Sequence, residues 1–457
     1  MSRGEPITII GAGLVGALLA TLLAQRGFAV TLIERRPDPR VAGFVGGRSI
    51  NLALAERGWH GLRLAGLAEI LRPLAVMMRG RMVHHLDGHT ELLRYGRDDT
   101  EVIWSIGRGD LNVALLNAGE RAGVTLLFDQ SLVSVDWNKS TVQLCDAAGV
   151  THERLATCLI GADGAGSAMR AAMASQRDLG ERYEPLEHGY KELAIPTRDG
   201  DFAMPVNALH IWPRGKYMCI ALPNAEGSFT VTLFMPNGTS ANPAEPSFAN
   251  VASADAVHEL FARDFADALP LIPDLRQDFM QNPTGVLGTL YLDHWHLEGR
   301  AVLLGDAAHP IVPFHGQGMN CGFEDAVDLA QLLEDARGDT AHAFAEFERR
   351  RKPNADAIAA MALENYIEMR DSVADAHFLL MRAMERKLAE RHPKRFVPRY
   401  WMVTFTRLPY STAFERGKIQ AQILRELTVE KIDLDDIDWT HADHLIDARL
   451  PPLPVDY

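Results

Sequence analysis

The 457-residue sequence predicts an α/β protein with a Rossmann-like dinucleotide-binding domain, an antiparallel β-sheet domain inserted into it, and a helical region at the C-terminal end. Three observations carry this expectation. At the start of the chain a strand, a glycine turn, a helix and a second strand close a βαβ unit within about thirty residues. Between residues 181 and 290 the texture changes to alternating strands rich in aromatic and β-branched residues, such as His210-Ile211-Trp212 and Phe229 to Phe234. Beyond residue 340 apolar residues recur at helical spacing, with expected breaks at Pro353, Pro393, Pro398 and Pro409.

Taken in order, Ile7 to Ile10 reads as a buried strand, Leu14 to Gln25 as a helix and Ala29 to Glu34 as the next strand. The uncharged stretch Ile7 to Ala24 reaches the length at which a membrane helix is suspected, but glycines 11, 13 and 16 divide it into strand and helix. After GFVGGRS (43 to 49), helical and short extended segments alternate as far as Leu155 to Ile160, a second buried strand that ends in GADGAGS. Ala301 to Leu304 return the chain to the first domain. The expected boundaries are 1–75, 97–180 and 290–340 for the dinucleotide domain, 76–96 and 181–289 for the β-sheet domain, and 341–457 for the helical region. The last thirty or so residues, acidic and punctuated by proline, read as irregular.

Composition narrows the function classes. A hydrophobic fraction of 47% supports a sizeable core, and a net charge of −14 excludes a nucleic-acid surface, which needs clustered Lys and Arg. Cys145, Cys158, Cys219 and Cys321 are widely separated and form no C-x-x-C pair, so reduced thiols in a soluble cytoplasmic protein are expected, with no metal site and no membrane span.

Three motifs carry chemistry. Gly11-Ala12-Gly13-Leu14-Val15-Gly16 lies between a strand and a helix, the context in which G-x-G-x-x-G lets a pyrophosphate approach the backbone. Glu34 ends the next strand, where a carboxylate accepts both ribose hydroxyls of an adenosine and repels a 2′-phosphate, favouring FAD or NAD over NADP. Asp163-Gly164-Ala165-Gly166-Ser167, with Arg170, follows the second strand; it reads equally as a strand-to-helix turn capped by Ser167. Residues 305 to 325, GDAAHPIVPFHGQGMNCGFED, put Asp306 at a strand end and leave backbone N–H groups uncovered at Gly316, Gly318 and Gly322. A helix starting near Gly318 and running through Phe323, Ala326, Leu329 and Leu333 would aim unpaired donors at a developing anion. These motifs leave open a hydroxylase, a flavin oxidoreductase that does not activate O2, and a non-catalytic FAD-stabilised protein.

In this order the GxGxxG, DG and GD motifs resemble the single-component flavoprotein aromatic hydroxylases of the 4-hydroxybenzoate hydroxylase fold. Within that group GRSINLAL (47 to 54), MRGRM (78 to 82), GYKEL (189 to 193), VPFHGQGMNCGFEDA (312 to 326) and ENYIEMRD (364 to 371) resemble the kynurenine 3-monooxygenase family in its bacterial form. The resemblance implies bound FAD, with NADPH and O2 as co-substrates and no second dinucleotide fingerprint. It implies that Gly11, Gly13, Gly16, Glu34, Arg35 and Asp163 serve the adenosine and pyrophosphate end, that Arg108 supports the cofactor, and that Asp306 holds the ribityl chain. Pro313, Gly316, Gly318, Met319 and Asn320 would line the isoalloxazine. Arg81, Tyr95, Asn365 and Tyr400 would clasp the amino-acid end of L-kynurenine, with Phe234, Phe314 and His315 beside its ring.

A guanidinium fork with phenols and an amide suits an α-carboxylate. His315 could shuttle protons, but an aniline nitrogen already pushes electrons into the ring, so shape and hydrogen bonding are its expected role. Met319, Met369 and Met381 read as core filler by themselves. Family members from eukaryotes carry a C-terminal membrane anchor, and no comparable apolar segment follows residue 340. A monomer or homodimer is expected.

Overall fold

Ile7–Ile10 is buried at every position and pairs in parallel with Val30–Ile33 on one side and Cys158–Gly161 on the other, as fits apolar strands covered on both faces. In the computed structural model, which describes residues 6–43, 51–239, 245–371 and 376–454, these strands form the centre of a six-stranded sheet. Its order is His296–Leu297, Ala301–Leu303, Cys158–Gly161, Ile7–Ile10, Val30–Ile33, Thr125–Leu127. The helix Leu14–Gln25 packs between Arg108–Arg121 and Gly318–Asp335, and Leu18, Leu19, Leu22 and Leu23 are wholly buried. An apolar surface all round is what a helix in that position needs.

A seven-stranded sheet forms the second layer, ordered Gly285–Tyr291, Arg182–Ile195, Phe229–Pro236, Met218–Pro223, Leu209–Pro213, Gly80–His84, Thr90–Arg94. The hairpin 80–94 comes from an earlier part of the chain and joins by a parallel pairing that sets Arg81 beside Leu209. Side chains alternate across the sheet. Leu233 and Met235 pack with Phe261 and Phe265 under the helices Ala254–Asp264 and Leu275–Gln281. Phe234 points to the opposite face, toward Phe314 and Tyr366. That alternation aims Phe234 at the site described below.

The structure departs from the sequence reading in three places. Leu155 does not begin the second buried strand: it ends Thr151–Leu155, an exposed strand of a three-stranded antiparallel sheet with Gln130–Asp136 and Thr141–Asp146. Pro353 does not break its helix, which runs 32 residues from Thr340 to Asp371. A proline removes one backbone donor, but the helix is held on both sides of it by wholly buried Phe344, Phe347, Ile358 and Met361. The chain end is not irregular either. Trp439–Arg449 is a helix whose N-cap, Asp438, accepts from His441 N at 3.0 Å and which buries Ala442, Leu445 and Ile446; the acidic run that suggested disorder supplies the cap. Pro398 and Pro409, by contrast, do mark boundaries, at the starts of Arg399–Phe405 and Tyr410–Thr428.

The four cysteines are free thiols, and among the described residues no helix is long and apolar enough to cross a membrane. Residues 44–50, which hold most of GFVGGRS and the start of GRSINLAL, and the side chains of residues 369–371, Met369 among them, lie outside the described residues.

One buried carboxylate ties the layers together. Asp325 Oδ2 lies 2.6 Å from His309 Nε2 and accepts from Gly305 N at 3.1 Å, while Oδ1 accepts from Arg351 Nε at 2.7 Å. Arg351 also pairs with Glu324 at 2.6 Å, and Glu324 with the wholly buried Arg57 at 2.5 Å. Burial alone would raise the Asp325 pKa, but His309 and Arg351 outweigh it and hold the carboxyl at about 2. Replacing Asp325 by Asn leaves the Arg351 charge short of its buried partner. We expect Asp325→Asn to lose about 3 to 5 kcal/mol of stability, measured as a lowered urea midpoint with unchanged slope; a loss under about 1 kcal/mol would mean the pair behaves as a surface salt bridge.

Candidate active site

The first glycine motif forms a cradle whose three glycines have distinct tasks. Gly11 has φ +103° and lies so close to the neighbouring turn that a Cβ would stand 2.5 Å from Ala162 O; a Cβ at Gly16 would stand 2.0 Å from Gly11 O. At Gly13 nothing lies within 4 Å of that position, so this is where a ligand can reach the backbone. Gly13 caps the helix without a side-chain hydrogen bond, leaving the first-turn donors for an anion.

Glu34 Oε2 accepts from Ala12 N at 2.9 Å and Oε1 from Arg36 N at 3.0 Å, which fixes the carboxylate over the cradle. Arg35 is exposed beside it. Asn112, unremarked in the sequence, steadies the same loop by donating to Ala12 O at 3.0 Å.

The DG motif turns inward on itself. Asp163 accepts from Ser167 Oγ at 2.5 Å and from Met169 N at 3.1 Å, and Ser167 caps the helix Ala168–Ala174 through Arg170 N. The capped-turn reading of this segment therefore describes its hydrogen bonds. Arg170 donates to Ala165 O at 2.7 Å and to Ala307 O at 3.0 Å, so it clips the DG turn to the GD turn.

Asp306 has its side chain open to solvent, yet burial among protein atoms pushes its carboxyl pKa upward, against the pull of His309 and Arg108. Both hold if the side chain faces a cleft inside the protein. Among the described residues it accepts no side-chain hydrogen bond, so its oxygens are available to a ligand hydroxyl. Arg108, the first residue of Arg108–Arg121, stands close enough to influence Asp306 and Glu192. A cleft of about 530 Å3 opens beside this helix start, between Gly107, Gly109 and Asp110 and the strand residues Leu193, Phe229 and Thr230. Its lining does not include Arg81, Tyr95 or Tyr400.

The turn Pro313–His315 leads through Gly316, at φ +67°, into the helix Gly318–Asp335, whose start carries no side-chain cap. Asn320 is wholly buried and fully engaged: Nδ2 donates to Ala53 O and Gly316 O at 2.8 and 3.0 Å, and Oδ1 accepts from Ala55 N at 2.9 Å. Its side chain staples the turn to the strand Asn51–Leu54 and leaves a cofactor only main-chain groups. Gln317 accepts from Tyr410 Oη at 2.8 Å; Met319 is half-buried.

Around this turn the residues proposed for substrate converge from four parts of the chain. The Arg81 guanidinium lies 5.8 Å from the Tyr95 ring centre and 5.7 Å from that of Tyr400. Tyr95 and Tyr400 stack at 5.5 Å, and Tyr400 stacks on His315 at 5.5 Å. Burial would lower the Arg81 pKa, but Tyr95, Tyr400 and Glu368 leave it raised, so the group stays charged. Burial pushes both tyrosines upward, so they stay as phenols. Among the described residues no carboxylate forms an ion pair with Arg81.

Phe314 contacts Phe234 at 5.1 Å and Tyr366 at 4.5 Å between ring centres. Asn365 donates Nδ2 to Phe314 O at 2.5 Å, a contact that holds the wall of the pocket. His315 is pushed down to about 4 by burial and by the charges of Arg399, Arg81 and Arg57. Its Nδ1 is buried and has no hydrogen-bond partner among the described residues. Tyr366, Tyr410 and Arg57 escaped the sequence reading because each sits in a pattern that reads as ordinary helix, and Gln317 because it lies between two glycines of the turn that drew the attention.

Comparison with known proteins follows the same lines. Residues 5–362 match the FAD binding domain family. The chain is 57% identical over 449 residues to the kynurenine 3-monooxygenase of Xanthomonas axonopodis pv. citri, covering 98% of this chain and 97% of that protein. It is 56% identical over the same length to that of Xanthomonas campestris pv. campestris strain 8004, with the same coverage. Among solved structures it resembles 2-methyl-3-hydroxypyridine-5-carboxylic acid oxygenase in its tetrameric form, with TM-score 0.61 and 20% identity over 82% of this chain and 95% of that one. It also resembles PqsL of Pseudomonas aeruginosa in complex with 2-aminobenzoylacetate, with TM-score 0.61 and 20% identity over 80% and 96% of the two chains. These structural likenesses speak to the fold alone.

The His315 environment has a consequence for pH. A folded pKa of about 4, below the ordinary 6.5, means that the neutral ring's contribution is complete above pH 6.5 and is lost as pH falls toward 4, up to roughly 3 kcal/mol. Thermal unfolding from about pH 7 to about pH 4 should therefore show a steeper fall for the unsubstituted protein than for His315→Gln. Parallel curves would show that the imidazole is not enclosed.

Proposed function

Because this chain belongs to the FAD binding domain family and, along nearly all its length, to the kynurenine 3-monooxygenases, we propose that it hydroxylates L-kynurenine to 3-hydroxy-L-kynurenine with bound FAD, NADPH and O2. The observation that carries the substrate assignment is Arg81, an enclosed and charged guanidinium between two phenols that forms no ion pair with a carboxylate among the described residues. A deeply set cation in that condition suits a ligand carboxylate. The free cysteines favour a cytoplasmic enzyme.

The residues present fit FAD. Open space at Gly13, the fixed Glu34 carboxylate and the Asp306 carboxylate, which accepts no side-chain hydrogen bond among the described residues, would meet pyrophosphate, adenosine ribose and ribityl hydroxyls. When bound, FAD carries electrons from NADPH to O2 and transfers one oxygen atom to the ring.

The chain's own residues position and protect. Arg81, Tyr95 and Tyr400 hold the α-carboxylate, and Phe234 and Phe314 orient the aromatic ring. The uncapped start of Gly318–Asp335 places N–H donors and a partial positive charge where negative charge develops. Pro313 and Phe314 keep water away. His315, neutral at physiological pH, contributes shape and an available nitrogen rather than a proton, since the substrate's amine already activates the carbon to be hydroxylated.

Mass analysis of the product from L-kynurenine, NADPH and 18O-labelled O2 should reveal singly labelled 3-hydroxykynurenine; its absence would refute the reading. Arg81→Met should weaken kynurenine binding by about 1.5 to 3 kcal/mol, roughly ten- to a hundredfold, and an unchanged dissociation constant would remove Arg81 from the site. Glu34→Ala should weaken FAD retention while leaving kynurenine binding intact in FAD-saturated enzyme. Purification of that variant with full flavin would refute the ribose assignment.

A further inference from the structure

We propose that Tyr366 and His188 are positioning residues for this hydroxylation, a hydrogen-bonded pair that fixes the Phe314 ring and so governs how much of the NADPH consumed ends in hydroxylated product. The inference rests on the function proposed above and adds two residues from elements outside the flavin turn.

His188 lies on the strand Arg182–Ile195 and Tyr366 on the helix Thr340–Asp371. Both are buried, at 5% exposure each. His188 Nε2 stands 2.7 Å from Lys216 O. A carbonyl only accepts, so Nε2 carries the hydrogen, and in the neutral ring Nδ1 is left as an acceptor. Tyr366 Oη lies 2.6 Å from that Nδ1 and therefore donates to it. The direction of each hydrogen bond is thus set by the chemistry of the partners.

The consequence reaches the pocket through the tyrosine ring. Tyr366 packs on Phe314 at 4.5 Å, and Phe314 on Phe234 at 5.1 Å. The adjacent Asn365 holds the Phe314 main chain through its carbonyl. Residues 365 and 366 therefore restrain both the backbone and the ring of Phe314. The hydrogen bond prevents the Tyr366 ring from sliding along its neighbour, and buried aromatic contacts are sensitive to such displacement. A displaced Phe314 would admit water to the reacting centre and loosen the ring to be hydroxylated.

Two outcomes compete for the same electrons. In the productive one, two electrons from NADPH and two from the ring C–H bond reduce O2 to one ring hydroxyl and one water. In the unproductive one, two electrons from NADPH and two protons convert O2 to H2O2, and no bond to the ring forms.

The test uses FAD-loaded enzyme and measures 3-hydroxykynurenine and H2O2 per NADPH for the unsubstituted protein, Tyr366→Phe, His188→Leu and His188→Gln. Glutamine can accept from Tyr366 with its oxygen and donate to Lys216 O with its nitrogen. Tyr366→Phe and His188→Leu should raise the ratio of H2O2 to hydroxylated product roughly threefold to tenfold, the span of one net hydrogen bond, while the kynurenine dissociation constant, set by Arg81, changes less than about twofold. His188→Gln should restore most of the coupling. Unchanged coupling in both disrupting variants would overturn the proposal. So would coupling lost equally in His188→Gln and in proportion to a fall in melting temperature, since that is the signature of general destabilisation. If the unsubstituted protein forms no 3-hydroxykynurenine, the function itself fails, and that result is read separately from the variants.

Discussion

A single carboxylate, Asp325, stands between the strand that delivers Asp306 and the helices that close the site. It accepts from Gly305 N, so the GD turn is pinned at the residue before the proposed ribityl partner, and it meets Arg351 from the long helix that carries Asn365 and Tyr366. A buried charge of this kind is tolerated only with its partners in place. The turn, the start of Gly318–Asp335 and the helix Thr340–Asp371 therefore hold one mutual geometry or lose the compensation. Arg57 extends the network, pairing with Glu324 and lying 3.8 Å over the Tyr410 ring, whose hydroxyl reaches Gln317 beside the turn Pro313–His315.

On this frame the substrate end is assembled from parts remote in sequence. Arg81 comes from a hairpin annexed by the seven-stranded sheet, Tyr95 from just beyond it, His315 from the turn and Tyr400 from the C-terminal helices. Each alone is an ordinary surface or packing residue. Together they enclose a charge that forms no ion pair with a carboxylate among the described residues, and in the proposed reading that suits an anionic end of the substrate. The aromatic pair Phe234 and Phe314, backed by Tyr366, provides the apolar half. A substrate with a carboxylate at one end and an electron-rich ring at the other satisfies both.

Much of this was legible in the sequence. The α/β class followed from G-x-G-x-x-G between a strand and a helix, and the helix at Gly318 from its apolar spacing. Local chemistry misled elsewhere. Pro353 reads as a helix stop because the burial of Phe347 and Ile358 that carries the helix past it is a tertiary effect, and the acidic chain end reads as irregular because an N-cap aspartate looks like any solvated acid. The Asp163 carboxylate serves its own turn, and the Asn320 side chain serves the backbone around it; both facts depend on distances between turns that no spacing encodes. The His188–Tyr366 bond and the Asp325 network join residues far apart in the chain, so only tertiary packing reveals them.

The central claim is that Arg81 recognises a carboxylate, and the most direct test removes that group from the ligand. Dissociation constants for L-kynurenine and its decarboxylated analogue kynuramine, measured with the unsubstituted protein and with Arg81→Met, form a closed cycle. The unsubstituted protein should prefer kynurenine by roughly ten- to a hundredfold, and Arg81→Met should bind the two ligands nearly alike. An equal preference for kynurenine in both proteins would contradict the account and place the carboxylate elsewhere.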